Sequence, residues 1–581
     1  MVKAHAGWLL VLTAYAASAF LIPILANVAV TDDWVYYRSV ETLLVDHVVR
    51  VHEMSSAALV FQTVWGAAFA GPLGLSFGAL RISTVVLVGL SGIAFYAVCR
   101  ELGIARSWSA VGMAAYLFHP LSLGLAYTFM TDGQFAALLV VATWLYVRGL
   151  RPDAAAPRFI VAGSVISACA VLVRQQGALV PFGVCAMLVL GRRMVSARRG
   201  SMLLVQVAAI PALVTLAYLV WLRLVNGTPW ALGLFWGDMQ TAGASGVIGL
   251  MPRLSAIQAM YLGLFVLPLA LAMGSRRAWL DADVPRWSIA AAVSWAALVL
   301  AGMFVFWSEG RSMPYVGQFV TATGIGPEDL IAARPVLMGP RVRIVLTLAC
   351  GLAAVLAGVV VAVRLGGSRA GFGSGVGLVL GIGVGQVLGT IPPSLHFINS
   401  GGTLDRYLLP LLPLGLIVLL WGMRELRPIL PVACAAVLTM ALWAVAGTRD
   451  HLVFLDTAWS LGEDAHRLGI PDNRLDVGAG WDGLHLYEHP PRSDSPSHTA
   501  HAPWWIDLFA PSTDSSYVVA GVALRDYSVV EERTYWSWLQ RRSLSLFLLR
   551  REDVAGPPEF GLRLVECGAT WQCQSSARPG R

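Results

Sequence analysis

Long apolar stretches separated by short polar ones run through the chain from residue 8 to residue 446. Thirteen of them are long enough to cross a bilayer as helices: 8–30, 82–99, 109–130, 133–148, 159–175, 177–191, 202–222, 255–273, 288–306, 343–363, 372–392, 407–421 and 429–446. Residues 34–50 follow a different pattern, with Trp34, Tyr37, Val40, Leu44 and Val48 near one helical face and Arg38, Glu41 and Asp46 elsewhere. That spacing predicts an amphipathic helix lying in the membrane interface. The apolar segment 54–71 is predicted to lie beside it, making a large first outer loop over 31–81. Between 372 and 392, Gly373, Gly377, Gly381, Gly385 and Gly389 recur every fourth residue. Such a ridge lets two helices approach closely, and the run has neither the GxGxxG spacing nor the setting of a nucleotide-binding loop.

After residue 446 the pattern changes. The tail 447–581 is rich in Asp, His, Pro and Ser, with strand-like pieces at 517–524 and 544–550, and is long enough for a core of its own. The expected organisation is a transmembrane domain over 1–446 and a small extracytoplasmic α/β domain over 447–581. Trp504, Trp505, Trp536 and Trp538 read as core of that domain, with a glycan-binding surface as the other reading.

Composition supports this reading. Of 581 residues, 57% are hydrophobic and 13% charged, about half the charged share of a soluble domain. The net charge of +7 does not point to nucleic acid, because the arginines cluster in alternate loops. Arg100 and Arg106, then Arg148, Arg151 and Arg158, then Arg192, Arg193, Arg198 and Arg199, and further groups near 276–286, 364–369 and 424–427 mark one face as cytoplasmic. Counting 54–71 as a span would put Lys3 on the wrong side of the membrane from all of them. The N-terminus is therefore expected in the cytoplasm, ahead of an uncleaved first helix, and the tail outside, in a multi-pass protein of the cell (inner) membrane. Cys99, Cys169, Cys185, Cys350 and Cys434 fall in apolar runs and read as packing residues, while Cys567 and Cys573 leave a disulfide open. No CxxC, HExxH or Cys/His cluster suggests zinc.

Ionisable residues at membrane depth are costly and mark candidate sites. In 30-VTDDWVYYRSVETLL-44 the first span ends directly on Asp32 and Asp33. Asp132 sits in the tight turn 128-TFMTDGQF-135, Arg81 opens the second span, Arg174 caps the fifth, and Asp405 and Arg406 precede the twelfth. Carboxylates at one rim suit a general base, and arginines at the same depth suit bidentate contact with a phosphate delivered from the bilayer. For each residue a bland reading stands beside this one: a salt-bridge collar, snorkelling for Arg81, solvated helix-end charges for Asp405 and Arg406. His119 reads as a hydrogen-bonded core histidine, and His396 is evenly divided between packing and phosphate contact.

The ordered motifs Asp32-Asp33, SFGALR (76–81), HPLSLGLAYTFMTD (119–132), LVRQQGALVPF (172–182), DRYLLPLLP (405–413) and the tail from 449 to 488 together resemble the C-type (GT-C) glycosyltransferases. Among these the likeness is to the bacterial protein O-mannosyltransferase and aminoarabinose-transferase branch, the family 39/83-like proteins. The resemblance implies a polytopic α-helical fold and inverting transfer of a sugar from a polyprenyl-phosphate donor to a glycan, lipid or protein acceptor on the outer face. It implies a catalytic base at Asp33 or Asp32, with Asp132 orienting the acceptor or, together with Asp33, holding a divalent metal ion. Arg174 takes the place of a basic residue expected near the donor phosphate, with looser matches at Arg406, Arg81 and His396. Relatives often carry Asp-Glu where this chain has Asp-Asp. The loop 307–342, with Glu309, Arg311 and Tyr315, is expected as a lid over the lipid. Two other classes share the apolar bulk: a transporter or flippase of lipid-linked sugars, which usually shows internal repeats not found here, and a non-catalytic scaffold working through its tail.

Overall fold

The computed structural model describes residues 2–151, 156–191, 197–273, 285–331, 334–367, 374–397, 403–426, 428–487, 503–509 and 513–552. Cys567 and Cys573 lie outside the described residues. Among the described residues seven helices are long and apolar enough to cross a membrane: Phe77–Glu101, Gly200–Asn226, Trp230–Ala270, Arg286–Ser308, Pro340–Gly367, Gly375–His396 and Leu430–Arg467. The number becomes eight if the bent pair Arg106–Leu117 and Pro120–Ala126 is one span, and four shorter apolar helices accompany them. The protein is a multi-pass helical membrane protein. Length and composition support fewer crossings than the thirteen expected, because several predicted segments are short or bent.

Two of those departures shape the site. The first segment, expected as one helix over 8–30, is helical only through Val2–Ala17 and Ser18–Phe20. Pro23 brings no N–H to continue the ladder, and the backbone runs on through 26–30 without helix. The third segment bends by 60° between Leu117 and Pro120. Proline disfavours helical backbone in the residue before it, so His119 is extended (φ −60, ψ 136) and caps the next helix, its Nδ1 accepting the Leu121 N–H at 3.2 Å. His119 is thus a buried, hydrogen-bonded histidine.

The glycine ridge is a packing surface. Helix Gly375–Gly389 lies so close to Leu179–Leu190 that a Cβ on Gly381 would stand 2.7 Å from the Gly183 carbonyl oxygen, and one on Gly385 2.8 Å from that of Leu179.

Leu430–Arg467 continues without a break through 446–447, the expected domain boundary. Beyond it a four-stranded sheet forms in the order Leu475–Asp476, Tyr517–Ala520, Arg542–Arg551, Tyr527–Ser537, the first pair parallel and the rest antiparallel. The sheet is docked on the long helix by Asp450, whose carboxylate accepts from Ser537 Oγ (2.7 Å), Trp538 N (2.9 Å) and Leu539 N (3.0 Å). Alternation along Tyr527–Ser537 turns Tyr535 and Ser537 inward and Trp536 outward. Trp536 and Trp538 are 51% and 39% exposed, so they are not core; Trp505 is buried and Trp504 is not.

Gly381→Leu is expected to lower stability by about 1–3 kcal/mol or more through overpacking against Gly183 and Met187. Gly383→Leu, where the nearest atom to a Cβ is Leu414 Cδ1 at 3.9 Å, should be close to neutral in the same detergent-solubilised thermal melt.

Candidate functional site

The site begins where the first helix fails. Residues 24–28 leave the helical ladder, so their carbonyl groups need donors in a place poor in water. Arg81, fully buried on the helix Phe77–Glu101, supplies them: Nη1 donates to Ile24 O (2.9 Å) and Ala26 O (2.8 Å), Nη2 to Val28 O (3.0 Å), and Nε to Tyr127 O (2.7 Å). Arg81, which the resemblance places near a donor phosphate, here ties the extended 24–28 segment to the 127–129 turn. Thr31 follows in left-handed backbone (φ 48), a conformation β-branched residues rarely adopt.

Asp33 opens the helix Asp33–Val45, and its carboxyl group closes the same junction. Oδ1 accepts the Phe129 N–H at 3.1 Å and Oδ2 the Val30 N–H at 3.3 Å, with 1% of the residue exposed. Burial pushes its pKa up to about 7, against the opposing pull of the Arg81 guanidinium. A carboxylate so enclosed is placed to hold two loops together.

Asp32 keeps a side chain 26% exposed and accepts from Arg406 Nη1 at 3.0 Å. Asp132 lies in the first turn of helix Thr131–Gly149, where the helix dipole favours a negative charge, and pairs with Arg174 Nη1 at 2.5 Å. The two ion pairs meet at Tyr407, whose ring lies 4.9 Å from Arg174 Cζ and 5.2 Å from Arg406 Cζ. Arg406 Nη1 also reaches the Met130 sulfur at 3.8 Å, two residues before Asp132. Tyr36, one turn beyond Asp32, lies within the field of all four charges; burial, then the Asp32 carboxylate, raises its phenol pKa while Arg406 opposes. The acids of two loops and the arginines of two others therefore share one place. Asp132 Oδ2, Thr131 Oγ1 and Arg406 Nε are buried there without a hydrogen-bond partner. Unpaired polar atoms at such depth cost free energy, which a bound polar ligand would recover.

Two further acids join the cluster: Asp329, which sequence reasoning did not select, and Asp405, which it named only as a solvated helix-end charge beside Arg406. Asp329 Oδ2 accepts from Thr31 Oγ1, and burial, aided by the Asp32 charge, pushes Asp329 up to about 7. Asp405 accepts the Phe319 N–H (3.0 Å) and Val320 N–H (2.7 Å), fastening the hairpin Val320–Thr321/Gly324–Ile325 beside Arg406. Asp329 carried no signal beyond being an acid in the 307–342 loop. The three residues named there engage neighbouring groups: Arg311 donates to Tyr315 O and lies over Phe306, and Glu309 pairs with Arg253 at 3.2 Å.

His396 is held apart from the ion pairs. Its Nδ1 meets Asp238 Oδ2 at 2.5 Å and its ring stacks on Phe235 at 4.3 Å, with Phe397 between it and Tyr407. A divalent cation fits poorly: both Asp33 oxygens accept amide N–H groups, Asp132 and Asp32 each face a guanidinium, and no three metal-type ligands group together among the described residues. A cavity of about 420 Å³ lies elsewhere, between residues 19–26 and Arg449, Val453 and Trp538.

No family model and no curated protein matches the chain. Among solved structures it is similar to ArnT from Cupriavidus metallidurans bound to undecaprenyl phosphate, at 14% identity and TM-score 0.41, over 95% of this chain and 99% of that one. It is also similar to the archaeal oligosaccharyltransferase AglB from Archaeoglobus fulgidus in complex with an inhibitory peptide and a dolichol-phosphate, at 15% identity and TM-score 0.43, over 88% of this chain and 64% of that one.

Arg81→Met should leave four carbonyl oxygens short of a donor and cost about 3 kcal/mol or more, read as a fall in the detergent-phase melting temperature. A carboxyl group whose pKa rises from 3.8 to about 7 on folding favours the fold while protonated, and that contribution is lost as pH rises through about 7. The melting temperature is therefore expected to fall between about pH 4 and pH 7 and then level off, with Asp33→Asn flattening part of the slope.

Proposed function

We propose that the protein is a membrane glycosyltransferase that moves a sugar, with inversion, from a polyprenyl-phosphate carrier to an acceptor hydroxyl or amine on the extracytoplasmic face of the cell membrane. The observation that carries this reading is the pair of ion pairs Asp32–Arg406 and Asp132–Arg174 meeting over Tyr407, with Asp132 Oδ2, Thr131 Oγ1 and Arg406 Nε unpartnered between them. The motif resemblance and the arginine bias of the opposite loops agree with it, and a site outside the cytoplasm needs a lipid-borne donor because nucleotide sugars are absent there.

In this reading the guanidinium groups of Arg406 and Arg174 receive the donor phosphate, whose charge grows as the bond from the anomeric carbon to the phosphate oxygen breaks. The acceptor heteroatom attacks the anomeric carbon from the opposite face and forms the new glycosidic bond. Its proton passes to Asp32, the carboxylate with open access, and the electron pair of the broken bond leaves with the phosphate. Asp132 presents its unpartnered Oδ2 to a hydroxyl of the donor or acceptor. Asp33 and Arg81 position this machinery without touching substrate. The domain assignment is a transferase bundle over 1–446 with a tail over 447–581 outside the membrane.

The test is transfer of labelled sugar from a polyprenyl-phosphate donor by membranes carrying each variant. Asp32→Asn and Asp132→Asn are each expected to lower kcat/KM about 10²-fold or more, and Arg406→Lys to raise KM for the donor by losing the planar fork. Full activity in both aspartate variants would sink the proposal.

A further inference from the structure

The cavity of about 420 Å³ is separate from the charged cluster and has its own chemistry. One wall is the stretch 19–26, where the first helix has ended and the side chains splay outward: Phe20 is 92% exposed, Leu21 52% and Leu25 72%. The other wall is Arg449 and Val453 on the long helix and Trp538 from the turn after strand Tyr527–Ser537. Its depth can be read from the chain, because Leu430–Arg467 carries no charge until Thr448-Arg449-Asp450 at this level. The groove therefore straddles the border between hydrocarbon and headgroup, where tryptophan and arginine anchor membrane proteins.

The rim is cationic. Arg449 lies 4.9 Å over the Trp538 ring and uses only Nη1 in its bonds to Asp450 Oδ1 (3.1 Å) and Trp536 O. Among the described residues Asp450 is the carboxylate paired with it, and its oxygens are also taken up by Ser537, Trp538 and Leu539. Outside the lining itself, the exposed Arg541 stands at the same turn as Trp538, and the exposed Arg542 follows it with Nε donated to Gln540 Oε1 at 3.0 Å. Arg449 at the groove and the exposed arginines of the adjoining turn outnumber the engaged carboxylate and favour a negative headgroup, and the exposed aliphatic wall favours an acyl chain.

We propose that this groove binds an anionic bilayer phospholipid, its acyl chain along Phe20–Leu25 and its headgroup phosphate at Arg449 and the Arg541–Arg542 turn. The bound lipid would moor the sheet of the tail to the membrane surface, independently of the transfer chemistry.

The purified full-length protein, delipidated in neutral detergent, is titrated with phosphatidylglycerol, phosphatidylcholine of the same acyl chains, or polyprenyl phosphate, and binding is read by native mass spectrometry and thermal shift. Phosphatidylglycerol is expected to bind more tightly than phosphatidylcholine. The exposed double variant Arg541→Gln/Arg542→Gln should weaken it about fivefold per charge removed, and Trp538→Ala should weaken it further, with transfer activity kept in the double variant. Equal affinity for the two phospholipids, an unchanged preference in the double variant, or a groove that takes polyprenyl phosphate and not phosphatidylglycerol would each overturn the inference.

Discussion

A guanidinium group buried in an apolar bundle must find acceptors for its donors, and Arg81 finds four backbone carbonyls. Everything at the charged end of the bundle depends on that exchange. The first helix can stop at Phe20 because the carbonyls it strands are satisfied from the neighbouring helix, and the extended 24–30 segment then delivers Asp32 and Asp33 beside the 127–132 turn. Asp33 completes the junction from the other side by accepting from both loops. A basic residue and an acidic one are thereby spent on architecture, and the unpaired polar atoms are left to the groups around Tyr407.

Those remaining groups are arranged by adjacency in sequence. Asp405 fastens the 319–325 hairpin while Arg406, the next residue, pairs with Asp32. Thr31 reaches Asp329 while Asp32 reaches Arg406. The tail joins in as well, since the Ala479 N–H donates to the Asp329 carbonyl at 2.9 Å and Gly483 packs on Trp34. Each pair of neighbouring residues ties one element of the frame to one element of the site, so a shift in the hairpin or the tail moves the charges. This coupling makes the 313–331 stretch, largely buried, part of the wall of the site.

Much of this was legible in the chain. The apolar runs, the glycine ridge and the strand-like pieces at 517–524 and 544–550 follow from local pattern; the strand Tyr527–Ser537 is not among them. The acids and arginines of the rim stood out because charge is scarce in a membrane protein and each instance carries a cost. What they do once gathered was not legible. Asp32 and Asp33 are the same residue type one position apart, and only the turn of the helix beginning at Asp33 aims one inward and leaves the other accessible. Trp536 and Trp538 read as core by composition, yet Trp536 lies on the outward face of its strand and Trp538 in the turn beyond it.

The sequence by itself determined that this is a multi-pass membrane protein with charged groups collected near the ends of its helices, because hydrophobic length and charge scarcity act locally along the chain. Tertiary structure alone decided which of those charges neutralise backbone and which face one another across Tyr407. The reason is geometric: hydrogen-bond capacity is settled within about 3 Å, and residues 24–28, 81, 127–132, 174, 329 and 405–407 come within that range only when the bundle closes.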